Sequence, residues 1–316
     1  LNSYSAGAFA TTTGAYSIMT NAYDGNTNQG SAAQNFGAVI NGSFNSIESK
    51  TAGSNVSGIA NAVVGTANRT HNANGTLVFG AGNEVTNSVD NIADPMSLLT
   101  NSPKELAEKL REGIRRNDSG GAVLAVGGGN KADYAYRSQL IGVGNTLTGT
   151  AAEKAAYNLL NGYKNTGTKA EHVSVIGSEN TVENSKSQTV IGDSNKITDR
   201  NAGTVSGHQE ERTKNVSDLV IGKGNDISGN GTYMTGHESL TVIGNNNKAD
   251  NPTSSIVIGD NQKLSAIKES VVIGSMTPEE KADPDIGQKH SSVVVGYHAQ
   301  SGTRDGGGMN VALGHG

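Results

Sequence analysis

From residue 173 to 276 the chain keeps repeating one phrase: three apolar, mostly β-branched residues, then glycine. Thr189-Val190-Ile191-Gly192, Leu219-Val220-Ile221-Gly222, Ile256-Val257-Ile258-Gly259 and Val271-Val272-Ile273-Gly274 are copies, with Val175-Ile176-Gly177 before them and Val242-Ile243-Gly244 among them. The glycines at 177, 192, 207 and 222 are 15 residues apart, as are those at 244, 259 and 274. Val205-Ser206-Gly207 reads as a worn copy, and the 22-residue step from Gly222 to Gly244 gives one coil about seven extra residues. A fixed period of this size predicts a stacked-repeat architecture.

Each copy has a physical grammar. An apolar run without alternation predicts a strand buried on both faces. The glycine turns the chain where a Cβ would clash or φ must be positive. Three residues later stands an asparagine (Asn180, Asn195, Asn225, Asn247), and two after that an apolar residue often returns (Val182, Ile197, Ile227; Leu264 after Gln262). One coil is therefore a strand, a turn, a second short strand with one apolar side, and a turn back. Stacked asparagines at matching turns can hydrogen-bond along the stack. The twelve residues Val175, Ile176, Val190, Ile191, Val220, Ile221, Val242, Ile243, Val257, Ile258, Val272 and Ile273 are expected to fill the coil core and a contact between chains. A 15-residue coil has no second layer, and a further copy of the chain is the simplest cover for the outer face.

The S-V-[VA]-[IL]-G phrase, with Asn or Ala three residues on, resembles the head repeats of trimeric autotransporter adhesins, the Yersinia adhesin A (YadA)-like family. Ser270-Val271-Val272-Ile273-Gly274, Ser292-Val293-Val294-Val295-Gly296 and Asn310-Val311-Ala312-Leu313-Gly314 lie close to that consensus. The resemblance implies a left-handed parallel β-roll, three chains per head, and a place on a bacterial surface, anchored in the outer membrane by a segment outside this sequence. It also implies attachment to host-cell receptors, extracellular-matrix proteins or partner bacteria. The alternative is a structural spacer that holds a distal binding domain. On the adhesin reading the sequence is a fragment of a longer chain.

The remaining segments divide into coils and insertions. Ala6 to Ala10 and Ala15 to Ile18 read as coils with Ala in the Asn position. Ala38 to Ile47, Ala62-Val63-Val64-Gly65 with Asn68, and Leu77-Val78-Phe79-Gly80 with Asn83 follow. Two more coils centre on Gly127 and Gly142. Residues 86–121 form an insertion in which Ser102-Pro103-Lys104-Glu105 is a capping box with proline at the first helical position, so a helix is expected near 102–116. Leu106, Leu110 and Ile114 share its apolar face, and Met96, Leu98 and Leu99 are expected to pack on it. Residues 148–170 form a second insertion, with Thr150 to Glu153 as capping box and a helix expected near 151–161. Thr277-Pro278-Glu279-Glu280 opens a small third insertion with one expected helical turn. Insertions leave a solenoid at one face and often bind. The residues expected to face a ligand there are Lys104, Glu105, Lys109, Arg111, Arg115, Lys154, Tyr157, Tyr163 and Lys164.

Composition sharpens the picture. Only nine Tyr and four Phe, with no Trp and no Cys, stand among 316 residues, and 43 are Gly. Such a chain has too few aromatics for a thick core but enough Val and Ile for a narrow roll. A net charge of −5 gives no nucleic-acid footprint, and no apolar run is long enough to span a membrane. No cofactor, metal or catalytic constellation is expected. The seven histidines (71, 172, 208, 237, 290, 298, 315) form no ligand motif. Asp283 and Asp285 flank a proline in a weak calcium pattern. Gly127-Gly128-Gly129 precedes no helix and is no phosphate loop. The 15-residue beat excludes a six-residue left-handed helix, and Thr181, Thr189 and Thr241 share no repeat position, as an ice-binding array would require.

Overall fold

The computed structural model describes residues 3–20, 34–49, 57–89, 102–116, 121–200, 217–229, 239–265, 267–278, 291–299 and 310–314. The chain divides into two units, Leu1–Tyr163 and Lys164–Gly316. Each is a parallel β-solenoid in which one coil contributes a strand to each of two sheets.

In the second unit the long strands are Ser174–Ser178, Gln188–Asp193, Asp218–Lys223, Thr241–Ile243, Ile256–Ile258, Val271–Ile273, Ser292–Val295 and Asn310–Leu313. The short strands are Thr166–Thr168, Thr181–Glu183, Lys196–Thr198, Asp226–Ser228, Lys248–Asp250 and Lys263–Ser265. Repeat positions pair in register: Val175 lies beside Val190, Val190 beside Val220, and Val220 beside Val242. The first unit repeats the plan. Its long strands run from Thr11–Thr13 through Val39–Ser43, Ala62–Thr66, Leu77–Ala81, Leu124–Gly128 and Gln139–Val143 to Leu159–Tyr163. Its short strands run from Tyr4–Ser5 to Thr146–Thr148.

Inside each coil the apolar side chains alternate with outward ones. Val175, Val190, Val220, Val242 and Val257 are fully buried from the long strands, and Val182, Ile197 and Ile227 from the short strands. Burying a side chain of this size stabilises by roughly 1.5–3 kcal/mol. Turns use left-handed residues. One corner follows two positions after the repeat glycine (Glu179, Ser194, Asn246, Asn261), and another follows the short strand (Asn184, Asp199, Asn251). The repeat glycine is itself required. Gly192 has φ +127°, and a Cβ there would lie 1.9 Å from the Gly222 carbonyl oxygen of the next coil, so both conformation and close approach exclude a side chain.

Three sequence expectations change. Gly192 pairs directly with Gly222, so Val205-Ser206-Gly207 contributes no coil between them; residues 201–216 lie outside the described residues. No helix forms near 151–161. Ala155–Ala156 is a short strand beside Ala135–Tyr136, and Leu159–Tyr163 is a long strand paired with Gln139–Val143. The capping residues do bond, Glu153 N–H donating to Thr150 Oγ1 at 2.9 Å, but they close a single turn. Two residues beyond that turn, Ala155 is buried within the coil, and the ladder outcompetes a short isolated helix. The step from Gly142 to Gly162 is 20 residues, so the insertion here is about five residues, not a helix-bearing segment. Finally, the first coil is built on Gly14, whose strand pairs with Val39–Asn41, with Ser17 rather than Ala15 in the asparagine position. Ser17 Oγ donates to the Gly42 carbonyl and accepts from Asn45 N–H.

The one helix among the described residues is Pro103–Arg116. Its chain departs after Ser88 and Val89 and returns at Gly121, so the coil extends further into 86–121 than the expected boundary. Leu106 and Leu110 pack against the buried pair Phe36 and Ile59. Met96, Leu98 and Leu99 lie outside the described residues, as do residues 279–290.

Candidate functional site

Three surfaces carry the chemistry. The first is the outer face of the long-strand sheet. The residue before each repeat glycine points away from the core: in the second unit Ile176, Ile191, Ile243, Ile258 and Ile273 are each between 36% and 46% exposed. They stand in register on neighbouring strands, so they form a continuous apolar strip. Ile221, in the same row, is half-buried. Half of the twelve residues expected in the core thus fill the coil interior, and the other half line this strip.

The second is the asparagine turn. Asn180, Asn195, Asn225 and Asn247 are all buried. Asn195 shows the pattern: its backbone N–H and Nδ2 both donate to Asn180 Oδ1 at 3.0 and 2.9 Å, and Nδ2 also donates to the Gly222 carbonyl at 2.8 Å. Asn225 repeats this on Asn195 and Gly244, and Asn247 on Asn225 and Gly259. Gln262 continues the ladder with its longer amide. The side-chain amides of Asn180, Asn195, Asn225 and Asn247 are all satisfied along the stack, so these turns are structural rather than ligand-seeking.

The third is the set of insertion residues. Lys104, Glu105, Arg111 and Arg115 are exposed on the helix, while Lys109 is half-buried and pairs with Glu105 at 3.0 Å. Glu108, Arg111, Glu112 and Arg115 line a shallow depression of about 380 Å³ with balanced charge. Lys154 sits over the Tyr136 ring, its Nζ 4.4 Å from the centroid, and Arg137 lies over Tyr157 and donates to its hydroxyl. Tyr163 and Lys164 are exposed. The residues expected to bind therefore fall into separate helix and coil groups and do not converge on one pocket.

Two charged features were not singled out by the sequence. Arg200 and Asp218 are fully buried and form a two-pronged pair, Nε to Oδ2 at 2.8 Å and Nη2 to Oδ1 at 2.9 Å. Arg200 Nη1 also donates to the Pro252 carbonyl, and Leu240 N–H donates to Asp218. The pair closes the base of the 201–216 insertion. In the first unit Arg69 bridges Glu48 and Glu84 on the outer face of the short strands. Hydrogen bonds from Arg69 hold the Glu48 carboxyl below the usual carboxylate range, against burial, which raises it. The two carboxylates push the Arg69 guanidinium up. Arg69 stands in a row that is charged in many coils (Glu84, Lys131, Lys196, Lys248, Lys263), so spacing alone did not mark it, and only the pairing of Gly192 with Gly222 brings Arg200 and Asp218 together.

Among the described residues no group of three or more His, Asp or Glu is gathered to hold a metal ion, and no helix is long and apolar enough to cross a membrane. His172 lies 3.9 Å from Glu171 and His298 packs on Tyr297. His208, His237, His290, His315, Asp283 and Asp285 lie outside the described residues. Comparison with protein-family profiles, characterised proteins and solved structures yields no match.

Proposed function

We propose that the chain is the head segment of a bacterial surface fibre, a left-handed β-roll that assembles as a homotrimer and mediates multivalent attachment to host cells, extracellular-matrix proteins or other bacteria. The observation that carries this reading is the strip of outward isoleucines. Five large aliphatic side chains in register, each more than a third exposed, make a contiguous apolar surface of the kind that marks an association site. A second copy of the same chain offers a matching strip, and closed symmetric assembly hides it completely. Attachment then rests on several weak contacts repeated on identical chains, where effective concentration raises avidity without a deep pocket.

The test is the mass of the native particle by light scattering, compared with 32.3 kDa for one chain. The reading expects three times that value, and Ile191→Asp with Ile258→Asp is expected to lower it to a single chain that still shows β-sheet circular dichroism. A wild-type monomer overturns the assembly. For attachment, beads coated with the trimer are expected to bind collagen, fibronectin or epithelial cells at least tenfold better than beads coated with the Ile variant. Equal binding by both removes the multivalent mechanism.

A further inference from the structure

The corner two residues past the repeat glycine is left-handed in every described coil except the one that ends in Met276, and Gly or Asn fills it in six of them (Gly82, Gly129, Gly144, Gly224, Asn246 and Asn261), with Ala67, Lys164, Glu179, Ser194 and His298 in others. The first two coils fill it with aromatic rings. They place Tyr16 at φ +52° and Phe44 at φ +60°, a conformation that bulky side chains rarely adopt. Neither ring is spent on the core. Tyr16 is 49% and Phe44 60% exposed, and the two rings lie nearly parallel, 9° apart with centroids at 5.5 Å. One face of Phe44 is covered by Tyr16. On its other side the next coils carry the small residues Ala67 and then Gly82 at the same corner, and Phe44 keeps 60% of its surface exposed.

We infer that the Tyr16–Phe44 pair is a binding platform for the apolar face of a neutral pyranose unit in a surface polysaccharide or glycan. The axial C–H groups of such a ring carry slight positive charge and stack on the electron-rich face of an aromatic. Residues 3–20 and 34–47 contain no charged side chain, and Glu48 and Arg69 just beyond them are paired with each other, which favours a neutral ligand. Thr13 and Asn41, both exposed, supply hydrogen-bonding groups on the adjoining strands of the same two coils. They occupy the row that carries Ile176 and Ile191 in the second unit, so the apolar strip assigned to chain contacts is polar here, which disfavours a second copy as the occupant. This inference adds a ligand class to the attachment reading, and its readout is independent of assembly.

The experiment uses the full chain and the variant Tyr16→Asn/Phe44→Asn, which installs the residue that Asn246 and Asn261 show this corner accepts. Retention on immobilised lacto-N-tetraose and cellopentaose is compared with retention on heparin, alongside Tyr163→Ala as an exposed-aromatic control. The expected result is binding to at least one neutral glycan, weakened tenfold or more by the double variant and unchanged by Tyr163→Ala, with saturation transfer from the protein to axial ring protons of the glycan. Retention only on heparin, no retention on either neutral probe, or equal retention by wild type and double variant each overturns it. A drop in particle mass with glycan retention unaltered assigns the pair to a chain contact and also overturns it. A monomeric wild type that still retains a neutral glycan defeats the assembly reading and leaves the platform standing.

Discussion

Asn195 shows what a single repeat residue contributes. Its side chain closes one coil onto the next through Gly222 and receives both donors of Asn225. Replacing it with Ala leaves a buried carbonyl and two buried N–H donors unpaired, so Asn195→Ala is expected to lower unfolding stability by about 2–4 kcal/mol in urea titration. Asn246→Gly, at an exposed left-handed corner, is expected to change it by less than about 1 kcal/mol. A similar cost at both sites would mean that the ladder adds nothing. Gly192→Ala introduces a Cβ into the 1.9 Å gap above the Gly222 oxygen and is expected to lower Tm more than Asn195→Ala does. At this scale the sequence was highly legible: the asparagine and glycine positions follow from spacing alone. The Arg200–Asp218 pair was not, because 18 residues separate its members and only the direct pairing of Gly192 with Gly222 brings them together. Asp218→Ala is expected to cost roughly 3–5 kcal/mol, since it leaves a buried guanidinium uncompensated. Arg200→Met/Asp218→Leu together should cost less than that; a double variant worse than the single one would show that the pair is a net contributor in its own right.

Among elements, the helix and the short-strand face behave differently. Helix Pro103–Arg116 announced itself by its cap and by leucines four apart, and Leu106 and Leu110 give it a tertiary reason to exist. Leu110→Asp is therefore expected to melt the helix, read as lost helical signal, while the β signal persists; loss of both would show that the helix is part of the stack's foundation. The segment 151–161 carried a comparable cap and good helix formers, yet Leu159-Leu160-Asn161-Gly162 also fits the coil phrase, and in-register pairing with Gln139–Val143 decided the conflict. Local propensity is the weaker force when a neighbouring strand is waiting. On the short-strand face, the lowered Glu48 titration fixes the sign of a pH effect. A carboxyl whose folded value lies below its unfolded one stabilises above the unfolded range and loses that contribution as pH falls through the folded value. The stability difference between wild type and Arg69→Gln, at most about 1 kcal/mol for so exposed a network, is expected at pH 7 and should shrink toward pH 3. A difference that grows on acidification would contradict the assigned direction.

For the molecule as a whole, the two faces of the long strands separate folding from assembly. Val190 is fully buried and Ile191 is 39% exposed, although the two are adjacent and nearly identical in chemistry. Val190→Asp is expected to abolish cooperative unfolding, and Ile191→Asp to leave it intact while reducing particle mass. If both variants unfold, the outer row is part of the fold rather than an association surface. Periodicity predicted the strip's composition but not its exposure, because a run of three apolar residues reads the same whether its outer member meets solvent, a helix or another chain.

The insertions carry a different consequence. Gly121 returns so close to Ser88 that a Cβ on it would sit 1.7 Å from the Ser88 carbonyl oxygen, and Arg200 grips Asp218 across the base of the 201–216 segment. Both departures follow the short strand, and each pair of ends is held together by the stack. The closure entropy of a flexible segment rises only logarithmically with its length, about 0.6 kcal/mol for each doubling. Because the stack already brings the ends of each connection together, lengthening the chain between them costs little. That corner is a site where length and sequence are free to drift under selection while the coils on either side keep their register, and where a foreign peptide can be grafted for display.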